Sequence, residues 1–191
     1  DSRKARVAFM GGSITNMKGW RDMVCNYLKD QFPDTEIECI NAGVPSTGSV
    51  PGAFRFSKDV LSHGKIDLLF VEAAVNDATN GRSPVQQIRG MEGILRHARM
   101  QNPGMDIMMM HFADPNKVST YNQGEIPEVI QNHEKVADYY QVSSLNLAKE
   151  VQQRIKDGQF TWKDDFRNLH PSPFGQKLYF ESITSVLEHA W

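Results

Sequence analysis

Ala8-Phe9-Met10-Gly11-Gly12-Ser13-Ile14-Thr15 is a short apolar strand that runs into two glycines and a serine. Paired glycines permit a tight turn with the backbone close to a ligand. The turn leaves the Ser13 hydroxyl at the carboxyl edge of the strand. Such a hydroxyl becomes a nucleophile only where a base reaches it. Serine ahead of a helix is also a common N-cap. A phosphate-cradling loop is a weaker reading, because neither the Walker lysine nor the G-x-G-x-x-G spacing is present. Near the far end stands Leu169-His170-Pro171. Folding has to bring Ser13 and His170 together if they act as one.

Outward from this stretch, strand-like runs near 6–10, 36–41, 67–72, 106–111 and 142–147 alternate with helical patterns. The helical patterns fall near 20–31, 51–62, 84–101, 127–140, 148–156 and 174–188. In the third, Ile88, Met91, Ile94, Leu95 and Ala98 recur at spacings of three and four and give one apolar face. Tyr179, Ile183, Val186 and Leu187 repeat this in the last. Proline opens several helices, where its missing N–H costs least. The strand–helix rhythm predicts an α/β fold with a mostly parallel sheet covered on both faces. No linker, repeat or low-complexity tract divides it, so residues 1–191 read as a single domain. Sites in such sheets form beyond the carboxyl ends of strands, where strand order reverses. For the common order 2-1-3-4-5, the loops after strands one and three flank that point. The first carries Ser13 and the second carries Asn76 and Asp77.

With 191 residues, the chain is long enough to bury one good core, and 40% hydrophobic with 23% charged residues is ordinary globular composition. A net charge of -2 without a long basic run argues against a nucleic-acid partner. No apolar stretch approaches the roughly 18 residues of a membrane span. The chain starts Asp1-Ser2-Arg3-Lys4 with no signal-like segment. A removed export signal would leave no trace, so a periplasmic or secreted location is conditional on one. Cys25 and Cys39, one in a helix and one in a strand, read as free buried thiols, since spacing does not show pairing.

The loop Asn41-Ala42-Gly43-Val44-Pro45-Ser46-Thr47-Gly48-Ser49 follows strand two. Its small residues leave backbone N–H groups accessible, as an oxyanion pocket needs, although a plain turn reads the same locally. Asn76 follows an apolar strand, where its amide can donate to a developing oxyanion or bond its own backbone. Of six histidines, His63, His97, His133 and His189 read as surface residues in or beside helices. His111 ends strand four and reads as core or as support for the site. His170 lies in Asp164-Asp165-Phe166-Arg167-Asn168-Leu169-His170-Pro171, where Pro171 disfavours helix and presents the ring. An imidazole suits a general base near neutral pH, and a nearby carboxylate would fix its tautomer.

Gly11-Gly12-Ser13-Ile14-Thr15, the 41–49 loop, Ala74-Val75-Asn76-Asp77 and Leu169-His170-Pro171 occur in an order that resembles the SGNH (GDSL-type) hydrolase superfamily. The resemblance implies a flavodoxin-like three-layer α/β/α sandwich with a five-stranded parallel sheet. It also implies ester hydrolysis through an acyl-serine intermediate, with no metal and no cofactor. By position Ser13 resembles the nucleophile and His170 the base. Asn76 resembles the side-chain oxyanion donor, with the Ser13 N–H and a backbone N–H near Ser46 as the others. Ser46 stands where the family has glycine, and Ala74 replaces the glycine that usually opens the third block. The family's acid position, three residues before the histidine, is Arg167. Asp165 is then the candidate acid and Asp164 the second, with a Ser–His dyad helped by a backbone carbonyl as the alternative. The GGSIT-type block and Gly52-Ala53-Phe54-Arg55 resemble carbohydrate-active members, so the expected substrate is a small acyl ester, acetyl first, on a carbohydrate. Trp20, Trp162 and Phe174 are candidates for a sugar-stacking wall or for packing. A non-catalytic carbohydrate-binding relative and an acyltransferase are the competing readings.

Overall fold

The computed structural model describes residues 3–189. Five strands, β1 (Arg3–Gly11), β2 (Thr35–Gly43), β3 (Leu68–Glu72), β4 (Asp106–Met110) and β5 (Ser143–Leu145), form one sheet in the order β2-β1-β3-β4-β5. Every neighbouring pair is parallel. Within the three inner strands, 7–10, 68–71 and 107–110 read as unbroken apolar runs because both faces are covered there. Val7, Phe9, Phe70, Met108 and Met110 enter one core. Ala8, Met10, Leu69, Val71, Ile107 and Met109, the alternate positions, enter the other.

The helices divide between these faces. α2 (Trp20–Gln31), α8 (Leu147–Lys156) and α9 (Pro173–Glu188) cover the first. α3 (Ser49–Asp59), α5 (Pro84–Gln101) and much of α7 (Glu128–Tyr140) cover the second. The result is the three-layer sandwich that the strand–helix rhythm predicts. Phe9 and Phe70 stack at 5.1 Å between ring centroids, and Trp20 meets Phe9 edge-on at 5.6 Å. All three are fully buried. Truncating such a ring typically costs about 3–5 kcal/mol. On α5, Met91, Ile94, Leu95 and Ala98 are buried as their spacing predicts. Ser83 caps this helix, with Gln86 bonding back to the Ser83 N–H at 3.0 Å, and Pro84 takes its first position.

Several details differ from the sequence reading. Helix α3 begins at Ser49, and a 3₁₀ turn at Leu61–His63 follows it. Three short helices, α1 (Ser13–Asn16), α4 (Ala74–Thr79) and α6 (Pro115–Asn122), were not predicted. Periodicity is weak over so few residues. On α9, Leu178 joins Tyr179, Ile183 and Leu187 in the core, whereas Val186 is 38% exposed, one position short of that face. Cys25 and Cys39 are joined in a disulfide, which corrects their reading as free thiols. The cause is tertiary: α2 crosses the face of the sheet beside β2 and brings the two Cα atoms to 6.3 Å.

Candidate active site

The carboxyl ends of β1 and β3 lie side by side, and the segments beyond them meet. After β1, Gly12 caps α1 and Ser13 is its first residue. Glycine is required at this turn by the approach of a neighbour: a Cβ on Gly12 would fall 1.9 Å from Asn76 Oδ1. Ile14 and Thr15 are buried and hold the turn against the sheet, leaving Ser13 half-buried. The Ser13 N–H begins a helix, so it belongs to the donors that a helix leaves without an internal partner. Ser13 Oγ lies 2.7 Å from His170 Nε2, a contact between residues 157 apart in sequence.

Loop 44–48 follows β2 and is fixed from several directions. Val44 N–H donates to Gly11 O at 2.9 Å, and Thr47 Oγ1 donates to Val44 O at 2.7 Å. Asn80 Nδ2 donates to Ser46 O at 3.0 Å. The Arg55 guanidinium reaches Ala42 O at 2.7 Å, Gly11 O at 3.0 Å and Thr47 Oγ1 at 3.4 Å, so one cation links the ends of β1 and β2 to the loop. Ser46 has φ 61. This left-handed conformation is natural to glycine and costs other residues of order 1–3 kcal/mol, a physical reason for glycine to resemble the better choice at this position. Asn76, on α4, is half-buried against Gly12, and its amide makes no hydrogen bond to another described residue. The Ser13 hydroxyl, loop 44–48 and the Asn76 amide therefore stand around the end of β1.

His170 comes from a different kind of segment. One π-helical turn, Trp162–Phe166, ends at Arg167, whose φ 78 and ψ -57 form a rare γ-turn closed by Asn168 N–H to Phe166 O at 3.2 Å. His170 N–H then donates to Asn168 Oδ1 at 2.7 Å, and the ring is exposed. The candidate acids lie elsewhere. Asp165 Oδ2 accepts the Thr161 N–H at 2.8 Å, and Asp164 Oδ2 accepts Thr161 Oγ1–H at 3.2 Å. The π turn folds both carboxylates back onto Thr161, the residue that caps it. Among the described residues no carboxylate is hydrogen-bonded to His170, and Arg167 is occupied as the centre of the turn.

The aromatic candidates separate as well. Trp20 is in the core, donating from Nε1 to Ile14 O at 3.2 Å. Trp162 stacks on Phe166 at 4.7 Å, and Phe174, 43% exposed, meets Phe160 edge-on at 5.0 Å. His133 is fully buried, which corrects its reading as a surface residue: it bonds Asp77 through Nε2 at 3.0 Å. Its place on the apolar stripe of α7, with Val129, Ile130, Val136 and Ala137, is the signal that could have found it. His111 is buried and bonds Glu134, and burial pushes its pKa down. Glu72, at the end of β3, accepts the Val75 N–H at 3.0 Å. Burial drives its pKa up to about 7, against the pull of Lys117 and of that N–H and with the push of Asp77 and Asp114.

A cleft of about 580 Å³ lies between α4, α6 and α7, with Arg82, Gln87, Asn116, Thr120, Gln131 and Lys135 among its largely polar lining. Among the described residues no helix is long and apolar enough to cross a membrane.

Known structures resemble this fold. A two-domain esterase (CEX) active on acetylated mannans, crystallised with mannopentaose, shares 23% identity at a TM-score of 0.83. The match covers 98% of this chain and 50% of that one, so this chain spans about half its length. An acetyl xylan esterase, AlAXEase, shares 19% identity at a TM-score of 0.76, over 95% of this chain and 99% of that one. The lipase/acylhydrolase from Enterococcus faecalis shares 18% identity at a TM-score of 0.72, over 97% and 96%. No curated protein matches. The family model for the GDSL-like lipase/acylhydrolase family matches residues 9–178, a span that includes Ser13, loop 44–48, Asn76 and His170. The chain belongs to the GDSL-like lipase/acylhydrolase family.

Proposed function

We propose that this enzyme is a serine esterase that removes a small acyl group, acetyl first, from a carbohydrate ester. The observation that carries the proposal is the 2.7 Å contact between Ser13 Oγ and His170 Nε2 at the carboxyl end of β1. His170 Nε2 takes the hydroxyl proton as Ser13 Oγ bonds the ester carbonyl carbon. The Ser13 N–H, a backbone N–H of the Ser46 region and the Asn76 amide receive the negative charge that develops on the carbonyl oxygen. His170 then gives its proton to the departing alcohol, and the acyl group stays on Ser13. Water attacks the acyl-serine, its proton passes to His170, and the acid leaves as the proton returns to Ser13 Oγ. The catalytic pair is a dyad in this reading, with Asp165 and Asp164 engaged at Thr161.

One finding supports a carbohydrate as the alcohol. Structures of similar fold include esterases whose stated substrates are acetylated mannans and acetyl xylan. The non-catalytic alternative draws on the missing carboxylate at His170.

Turnover of p-nitrophenyl acetate, with acetate release from acetylated manno- and xylo-oligosaccharides, tests the proposal. Ser13→Ala is expected to lower kcat by roughly 10⁴-fold or more and to abolish fluorophosphonate labelling. A wild type no faster than Ser13→Ala, yet still binding oligosaccharide, would establish the binding reading. Acyl transfer to an added sugar in place of acid release would establish the transferase.

A further inference from the structure

We infer that Asp77 is a positioning residue, which with Ser49 and His133 sets the distance between the two sources of oxyanion donors. This rests on the esterase reading and extends it to residues that touch no substrate.

The three side chains come from separate elements, α4, α3 and α7, and all are fully buried. Asp77 Oδ1 accepts the Ser49 N–H at 2.9 Å. Asp77 Oδ2 accepts the Ser49 Oγ–H at 2.5 Å and the His133 Nε2–H at 3.0 Å. A buried carboxylate needs such donors, because an unsatisfied one carries a large desolvation penalty. Ser49 is the first residue of α3 and directly follows loop 44–48. Fixing its N–H and hydroxyl therefore fixes the end of the loop.

Close packing reinforces the arrangement. A Cβ on Gly48 would fall 2.1 Å from Asp77 Oδ1, and one on Gly90 would fall 2.3 Å from Ser49 Oγ. No bulkier residue enters without moving the clamp.

The helix that bears Asp77 has only six residues and is too short to hold its own position. Its contacts place it: Asn76 against Gly12, Asp77 on Ser49, and its capping residue Asn80 on Ser46 O. One short helix thus holds the nucleophile turn on one side and loop 44–48 on the other. An oxyanion hole works only if its donors are set before charge appears. A shift of about 1 Å in such groups can lower a rate by about 10²-fold.

The experiment measures kcat and KM on p-nitrophenyl acetate, the rate of fluorophosphonate labelling at Ser13, and the circular dichroism of each variant. Asp77→Asn is expected to lower kcat by about 10²-fold, with KM within about threefold and slower labelling. Ser49→Ala keeps the backbone bond and loses the hydroxyl, so its kcat falls by about tenfold. His133→Gln keeps an N–H donor and should retain clearly more activity than His133→Leu. If Asp77→Asn does not fold, Ser49→Ala and the His133 pair decide the matter. Folded Ser49→Ala and His133→Leu proteins with wild-type kcat would overturn the inference. So would losses confined to KM, or His133→Gln as impaired as His133→Leu. A wild type without Ser13-dependent turnover would instead overturn the esterase reading, which separates the two failures.

Discussion

The segments that carry Ser13, Ser46 and Asn76 are tied by bonds between residues distant in sequence, whereas the loop that carries His170, apart from the His170–Ser13 contact itself, is tied by bonds to its own neighbours. Arg55 reaches Gly11 across 44 positions, Asn80 reaches Ser46 across 34, and Ser49 reaches Asp77 across 28. On the base side, Thr161 bonds Asp165 across four positions, His170 bonds Asn168 across two, and Ser172 bonds Asp165 across seven. Donors that stabilise a transient charge must be placed before the reaction, and bonds between distant segments do this. A base that accepts a proton and passes it on tolerates a segment whose geometry is set locally. The difference teaches where this fold concentrates its precision: beyond β1, β2 and β3, and less before α9.

The comparison breaks if the first group proves tolerant. Asn76→Ala is expected to lower kcat by about 10²–10³-fold, roughly 3–4 kcal/mol of barrier, with the fold intact by circular dichroism. Retention of wild-type kcat would remove Asn76 from the oxyanion donors.

A second test probes stability beneath the same group. Glu72 holds its proton to about pH 7 in the folded chain, against 4.5 for an ordinary glutamate. The folded state therefore binds more protons between these values, and stability falls as pH rises through that window. Glu72→Gln keeps an acceptor for the Val75 N–H and removes the buried charge. It should be more stable than wild type by about 3 kcal/mol at pH 8, with the advantage fading below about pH 4.5. Urea unfolding at the two pH values measures this. An equal difference at both would show that charge is not the cause.

The smallest effect is expected on the base side. Asp165→Asn retains an oxygen for the Thr161 N–H, so kcat should stay within about twofold of wild type if no carboxylate serves His170. A tenfold or larger fall would return Asp165 to the role of acid and make the two regions more alike.

Much of the architecture was legible because periodicity is a local property. The apolar runs within 6–10 and 67–72, and the three-and-four spacing of Met91, Ile94, Leu95 and Ala98, survive in the folded chain as buried faces. The candidate site was legible in part, since Ser13, Asn76 and His170 occupy recognisable blocks. Asp77 stood in the same block as Asn76, but its partners Ser49 and His133 lie on two other helices. The apolar stripe of α7 marks His133 as turned inward, but nothing in the local pattern names Asp77 as its partner.

By itself, the order of residues determined a parallel sheet, the helices that cover it, and which loops rise from the carboxyl ends of its first and third strands. Hydrophobic spacing within ten or twenty residues suffices for that. Only the tertiary structure decided that Cys25 meets Cys39, that His133 turns inward to Asp77, and that Asp165 and Asp164 bond Thr161. Each of these depends on where elements cross or how one turn closes, to within an ångström or two. Local sequence preference does not resolve distances that fine.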